Sequence, residues 1–158
     1  MIIRTATPAD AEAMSRVLGE IIAATGRERL REPDFVRSTY IDNPAGVECS
    51  VAVDAADGLL GFQSLIRALP GNRYGAPEGW GIIGTHISPQ AHRRGVGTAL
   101  FAASREAASA AGLARIDASI GAWNAGALRY YEALGFRTWR EGDGVVQKAF
   151  VVEGRTPA

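Results

Sequence analysis

His92-Arg93-Arg94-Gly95-Val96-Gly97-Thr98 joins two segments of different character. Before it, Trp80 to Ile87 reads as a strand. It is interrupted by Gly81 and Gly84, glycines of the kind that mark a bulge or the close approach of another backbone. After it, the chain from Gly95 to about Ala111 is alanine-rich, with Val96, Leu100 and Phe101 apolar. That predicts a helix of high intrinsic propensity, ended by Gly112. A helix start leaves backbone N–H groups without partners and carries partial positive charge. Successive N–H groups in a tight turn form an anion nest, and glycine lets that backbone come close to phosphate oxygens. Arg93 and Arg94 add charge at the same place, and Thr98 adds a hydroxyl. This is chemistry for a diphosphate. A Walker loop is excluded, because Gly-Lys-Ser/Thr does not occur in the chain. The dinucleotide fingerprint lacks its third glycine, since Thr98-Ala99-Leu100 follows Gly97. Taken alone, the turn is equally a basic helix start with a glycine bend.

The rest of the chain predicts the order β-α-α-β-β-β-α-β-α-β-β. Ile2 to Ala6 reads as a strand, and Thr7-Pro8-Ala9-Asp10 starts a helix with Met14, Val17, Leu18, Ile21 and Ile22 on one stripe. A mixed-charge stretch, Arg27 to Glu32, precedes a second short helix from Pro33-Asp34 to Tyr40. Val47–Val53 and Leu60–Leu69 form a hairpin about Asp57-Gly58. Leu113–Ile120 is a strand, Trp123–Leu134 a helix closed by Gly135, and two strands flank Gly142-Asp143-Gly144. The pattern is α/β, a mixed sheet with helices on its faces, rather than a regular βαβ alternation.

The 158 residues fit one domain, expected over 1–154, with 155–158 a frayed tail. Seventeen basic and seventeen acidic side chains cancel, which removes the usual electrostatic reason to propose nucleic acid or membrane binding. No apolar run approaches the roughly 18 residues of a membrane span. Cys49 is the only cysteine, so an intrachain disulfide is excluded and a reducing, cytoplasmic setting is expected. Two histidines and one cysteine make no familiar zinc constellation, and no metal is expected.

The turn resembles the coenzyme A loop of the GCN5-related N-acetyltransferase superfamily, Gln/Arg-x-x-Gly-x-Gly/Ala, with His92 in the first position. Asn124 to Phe136, with Tyr131-Glu132-Ala133-Leu134-Gly135-Phe136 at its end, resembles the family's Asn-x-x-Ala…Tyr-Glu-x-x-Gly-Phe segment. The Ser88-Pro89 turn and the chain length look like the phosphinothricin acetyltransferase branch. The resemblance implies a splayed, mostly antiparallel sheet of six or seven strands with about four helices. It implies acetyl-CoA as acyl donor, its arm lying between the strands Trp80–Ile87 and Leu113–Ile120. The coenzyme-binding positions are then Ile87, Ser88, Arg93, Arg94, Gly95, Val96, Gly97, Thr98 and Asn124. Many members of this fold form homodimers. The expected acceptor is the primary amine of a small molecule, such as an amino acid or an amine-bearing antibiotic or herbicide. Acetylation of a protein N-terminus and a silent acyl-CoA-binding domain are the alternatives.

Tyr131 falls where the family tyrosine protonates the departing thiolate. A phenol with a pKa of about 10 can donate to a thiolate of comparable basicity. His86 is the candidate base. It lies just before the turn, shares a sheet face with Gly84 and Ile82, and has a free pKa of about 6.5. It is equally well read as a structural histidine. Glu28, Glu32 and Asp34 lie in the segment that covers the acceptor pocket in the family, where Arg27, Arg29 or Arg31 could hold a carboxylate. Tyr74 and Glu78 precede the central strand on the acceptor side, while Trp80 and Trp123 are expected to pack.

Overall fold

The computed structural model describes residues 1–56 and 58–153. Its strands are β1 (Ile2–Thr5), β2 (Gly46–Asp54), β3 (Gly58–Arg67), β4 (Gly81–Ile87), β5 (Arg115–Gly121), β6 (Arg137–Gly142) and β7 (Val145–Val151). Its helices are α1 (Ala11–Thr25), α2 (Pro33–Val36), α3 (Val96–Ala110) and α4 (Ala125–Leu134). The strands form one sheet in the order β1-β2-β3-β4-β5-β7-β6. Every neighbouring pair is antiparallel except β4 and β5.

That exception positions the site. β4 and β5 pair only at Gly81↔Ile116 and Ile82↔Asp117, then part. The last five residues of β4 keep their antiparallel register with β3 but have no partner in β5. The expected splayed sheet is therefore present, and the gap exposes strand backbone that would be costly to bury unpaired.

Helices cover both faces. On one, α1 and α2 bury Met14, Val17, Leu18 and Val36 against Val51 and Phe62. On the other, α3 and α4 bury Phe101 and Tyr131 against Ile83, Ile116, Phe136 and Phe150. Each fully buried side chain of this kind contributes about 1.5–3 kcal/mol over leaving it in water. Among the described residues, no helix is long and apolar enough to cross a membrane.

Two local expectations change. Gly81 marks close packing rather than a bulge, since a Cβ there would stand 2.8 Å from Leu65 Cδ1 and 3.0 Å from Leu113 Cδ1. The second helix stops at Val36 and widens into a π turn, Arg37–Ile41, closed by Asp42 N–H on the carbonyl of Arg37. The wider turn lets Tyr40 bury its ring against Phe62 and His86. The hairpin expected at Asp57-Gly58 is seen from its flanks, where Asp54 pairs with Gly58, and Asp57 itself lies outside the described residues. The expected tail, 155–158, and residue 154 also lie outside them.

Candidate active site

The turn after β4 has the geometry of an anion nest. Arg93 and Gly95 both take left-handed backbone, with φ of 64° and 75°. The first backbone bond of α3 runs from Ala99 N–H to Gly95 O, at 3.1 Å. The amides of residues 96–98 therefore have no helical acceptor and face the open end of the helix. A cavity of about 500 Å³ lies there, lined by Ile87, Arg93, Gly95, Val96, Gly97, Thr98 and Asn124. Asn124 caps α4 by accepting the Ala127 amide on its side-chain oxygen at 3.1 Å.

Two expected coenzyme residues turn elsewhere. Ser88 is buried and donates to Glu20 Oε2 at 2.6 Å, fastening the turn to α1. Arg94 reaches back to Asp54 at 2.7 Å. Both leave the nest to backbone amides and Arg93.

A second cavity, of about 640 Å³, opens on the other side of the split between β4 and β5. Its lining includes Arg27, Glu28, Arg29, Arg73, His86, Ser119, Trp123 and Tyr131. Tyr131, Thr85 and Asn124 line both cavities. Glu28 therefore reaches this space. Glu32 does not. It is exposed and accepts the Arg31 amide. Tyr74 is displaced too: its ring packs with Ala68, Ala76 and Ile82, and its carbonyl accepts from Arg140 and Gln147. Its neighbour Arg73 lines the cavity instead. Trp123, expected to pack, stands half exposed on the rim with Arg27 stacked on its ring at 3.8 Å.

The imidazole of near-neutral pKa expected at His86 is corrected by its surroundings. Arg29 Nη1 lies 3.3 Å from His86 Nδ1 and its other arm donates to Tyr40 Oη at 2.6 Å. A guanidinium only donates, so Nδ1 accepts and Nε2 carries the ring proton. Burial against Phe62 and Tyr40, with the Arg29 charge beside it, pushes the pKa down to about 3. Neither ring nitrogen can take a proton from an amine in this arrangement.

Tyr131 is buried between Thr85 and Phe136, and its hydroxyl lies 2.8 Å from Thr85 Oγ1. Burial holds the phenol far above its ordinary pKa, so it stays protonated. Behind it runs a buried polar chain that sequence reasoning missed. Gln63 Nε2 reaches Thr85 Oγ1 at 2.9 Å and Tyr130 Oη at 3.1 Å, and Ser104 Oγ reaches Gln63 Oε1 at 2.6 Å. Tyr130 donates to the carbonyl of Gly97 at 2.8 Å. Cys49 sits apart in the α1 core, and burial pushes its thiol up to about 12, so it supplies no thiolate. Among the described residues no group of three or more His, Cys, Asp or Glu side chains could hold a metal ion.

The acetyltransferase (GNAT) family model matches residues 17–136, three quarters of the chain. The chain belongs to the GNAT acetyltransferase family. It is thus an acyltransferase by family. Solved GNAT structures share its fold. A GCN5-related N-acetyltransferase from Kribbella flavida is 22% identical, with a TM-score of 0.78 over 95% of this chain and 96% of that one. A phosphinothricin acetyltransferase from Sinorhizobium meliloti, solved in complex with acetyl-CoA, is 20% identical, with a TM-score of 0.75 over 99% of this chain and 92% of that one. A ribosomal-protein-alanine N-acetyltransferase from Brucella melitensis is 19% identical, with a TM-score of 0.76 over 96% of this chain and 99% of that one. No curated protein sequence matches the GNAT chain.

Proposed function

We propose that this protein transfers the acetyl group of acetyl-CoA to the primary amine of a small, carboxylate-bearing molecule such as an amino acid. The observation that carries the reading is Tyr131, the titratable side chain present in the lining of both cavities. The pyrophosphate of acetyl-CoA fits the amides of residues 96–98 and Arg93, and its arm fits the gap past Ile82. The thioester then meets Tyr131 at the junction. The amine enters from the second cavity, where Arg27, Arg29 and Arg73 outnumber Glu28. A guanidinium pairs well with the acceptor's carboxylate.

The amine nitrogen attacks the thioester carbon directly. A C–N bond forms, the C–S bond breaks, and the leaving thiolate takes the Tyr131 proton. Backbone N–H groups of β4 that face the gap stabilise the charge that develops on the carbonyl oxygen. Burial keeps the phenol protonated and also makes its proton harder to release. Thr85, donating to the phenol oxygen, offsets that by stabilising the phenolate.

The test is thiol release from acetyl-CoA with a panel of amines, beginning with free amino acids and phosphinothricin. Turnover on a carboxylate-bearing amine above its decarboxylated analogue is the expected result. Acetyl-CoA binding without turnover on any amine would contradict it.

A further inference from the structure

With Arg29 on His86 Nδ1, the acceptor cavity needs another route for the proton that the amine loses. Glu28 is exposed, and the remaining charged groups named in the lining are arginines. One buried carboxylate lies just behind it. Asp117 is fully out of water on β5, in register with Ile82 at the last pair before the strands part. Trp139 Nε1 donates to its Oδ1 at 2.8 Å, and Gln147 Nε2 reaches both oxygens at 3.3 Å. Its third donor is Ser119, whose Oγ lies 3.1 Å from Oδ2. Ser119 stands two residues along the same face of β5, half buried, in the lining of the acceptor cavity with His86 and Tyr131. Its hydroxyl proton is committed inward, so its lone pairs are left for the cavity.

We propose that Ser119 accepts the proton of the attacking amine and hands its own hydroxyl proton to Asp117. The inference rests on the amine acetylation proposed above. As the C–N bond forms, the N–H bond breaks, Ser119 Oγ gains that proton, and its original proton moves to Asp117 Oδ2. Charge balances, since an ionised Asp117 becomes a neutral acid, and the proton leaves by the same path once product departs. Ser119 is the catalytic residue, and Asp117 acts through it as a positioning residue. The surroundings suit a carboxylate that must gain and lose a proton. Burial raises it above the usual range, while Trp139, Gln147 and Ser119 as donors and the Arg140 charge on β6 pull it back. The neutral phenol of Tyr131 on α4 is near enough to feel its charge, and Ile82 on β4 pairs with it in the sheet.

The test is the pH dependence of kcat/KM, with the panel amine that the wild-type protein turns over fastest. Asp117 must be ionised to accept, so activity falls as pH drops through its pKa. The limb from the amine's own ionisation lies higher and is common to all variants. Ser119→Ala leaves the Trp139 and Gln147 bonds of Asp117 intact. It is expected to lower kcat/KM by about 10²-fold, the usual size of a general-base effect, with the KM for acetyl-CoA within about twofold. Asp117→Asn is expected to remove the lowest limb, and Ser119→Thr to restore most of the activity. Wild-type kcat/KM and an unchanged lowest limb in Ser119→Ala would overturn the relay alone. A wild-type protein that turns over no amine would overturn the acetylation reading and the relay with it.

Discussion

Tyr130 donates its phenolic proton to the carbonyl of Gly97 at 2.8 Å, and this bond sets the direction of every hydrogen bond behind Tyr131. A carbonyl can only accept, so Tyr130 must donate there, and its oxygen accepts from Gln63. That fixes the Gln63 amide, whose Oε1 accepts from Ser104 and whose second N–H goes to Thr85. Thr85 Oγ1, accepting from Gln63, keeps its own proton and lies 2.8 Å from Tyr131 Oη. The turn at Gly97 and Tyr131 are thereby joined through buried, satisfied groups.

Thr85→Val removes the donor to Tyr131 at nearly constant volume. The phenolate loses its stabilisation, and Gln63 loses one acceptor. We expect kcat to fall about tenfold, which corresponds to roughly 1.4 kcal/mol, while the KM for acetyl-CoA stays within about twofold. Steady-state kinetics on the best panel amine check this.

Gly97→Ala acts by crowding. A Cβ there would stand 2.5 Å from Tyr130 Cε1 and 3.2 Å from Ile87 Cδ1. The Tyr130 ring is tied at its hydroxyl and packed edge-on against Tyr131, so it cannot simply swing away. We expect a stability loss of about 1–3 kcal/mol, as for other overpacked sites, and weaker acetyl-CoA binding. Thermal melts and calorimetric titration with acetyl-CoA measure the two effects.

His86 gives the fold an acid sensitivity with a definite window. Its folded pKa of about 3 lies below the 6.5 of an unperturbed imidazole. Between those values the unfolded chain binds more protons than the folded one, so stability falls as pH drops from 6.5 towards 3. Asp10, whose carboxyl is held below its ordinary 3.8 chiefly by hydrogen bonds from Arg4, adds its own loss only at the acid end. His86→Gln is expected to flatten the upper part of the melting-temperature profile and leave the lower part. An unchanged profile would show that the ring is not held neutral.

The backbone features of the site were legible because glycine and chain direction carry them. The turn before α3 and the helix ends at Gly112 and Gly135 stand where they were expected. The side chains that converge from distant segments were not. Arg29 closes on His86 across 57 residues, and the π turn that brings Tyr40 to it leaves no periodic signal. Gln63 and Ser104 look like ordinary polar residues of a strand and a helix until they meet across 41 residues. Ser88, just before the motif, and Arg94, within it, point to Glu20 and Asp54, because a motif specifies backbone path more tightly than side-chain direction. The acceptor face misled by a single residue, with Arg73 in the lining and Tyr74 in the packing beside it.

The most direct measurement is thiol release from acetyl-CoA by the wild-type protein and by Tyr131→Phe, on one amine, alongside acetyl-CoA binding to each. Removing only the hydroxyl is expected to leave acetyl-CoA affinity within about twofold and to lower kcat by about 10²-fold or more, the range of a general-acid effect. Equal kcat in the two proteins would contradict Tyr131 as the proton donor at the junction of the two cavities.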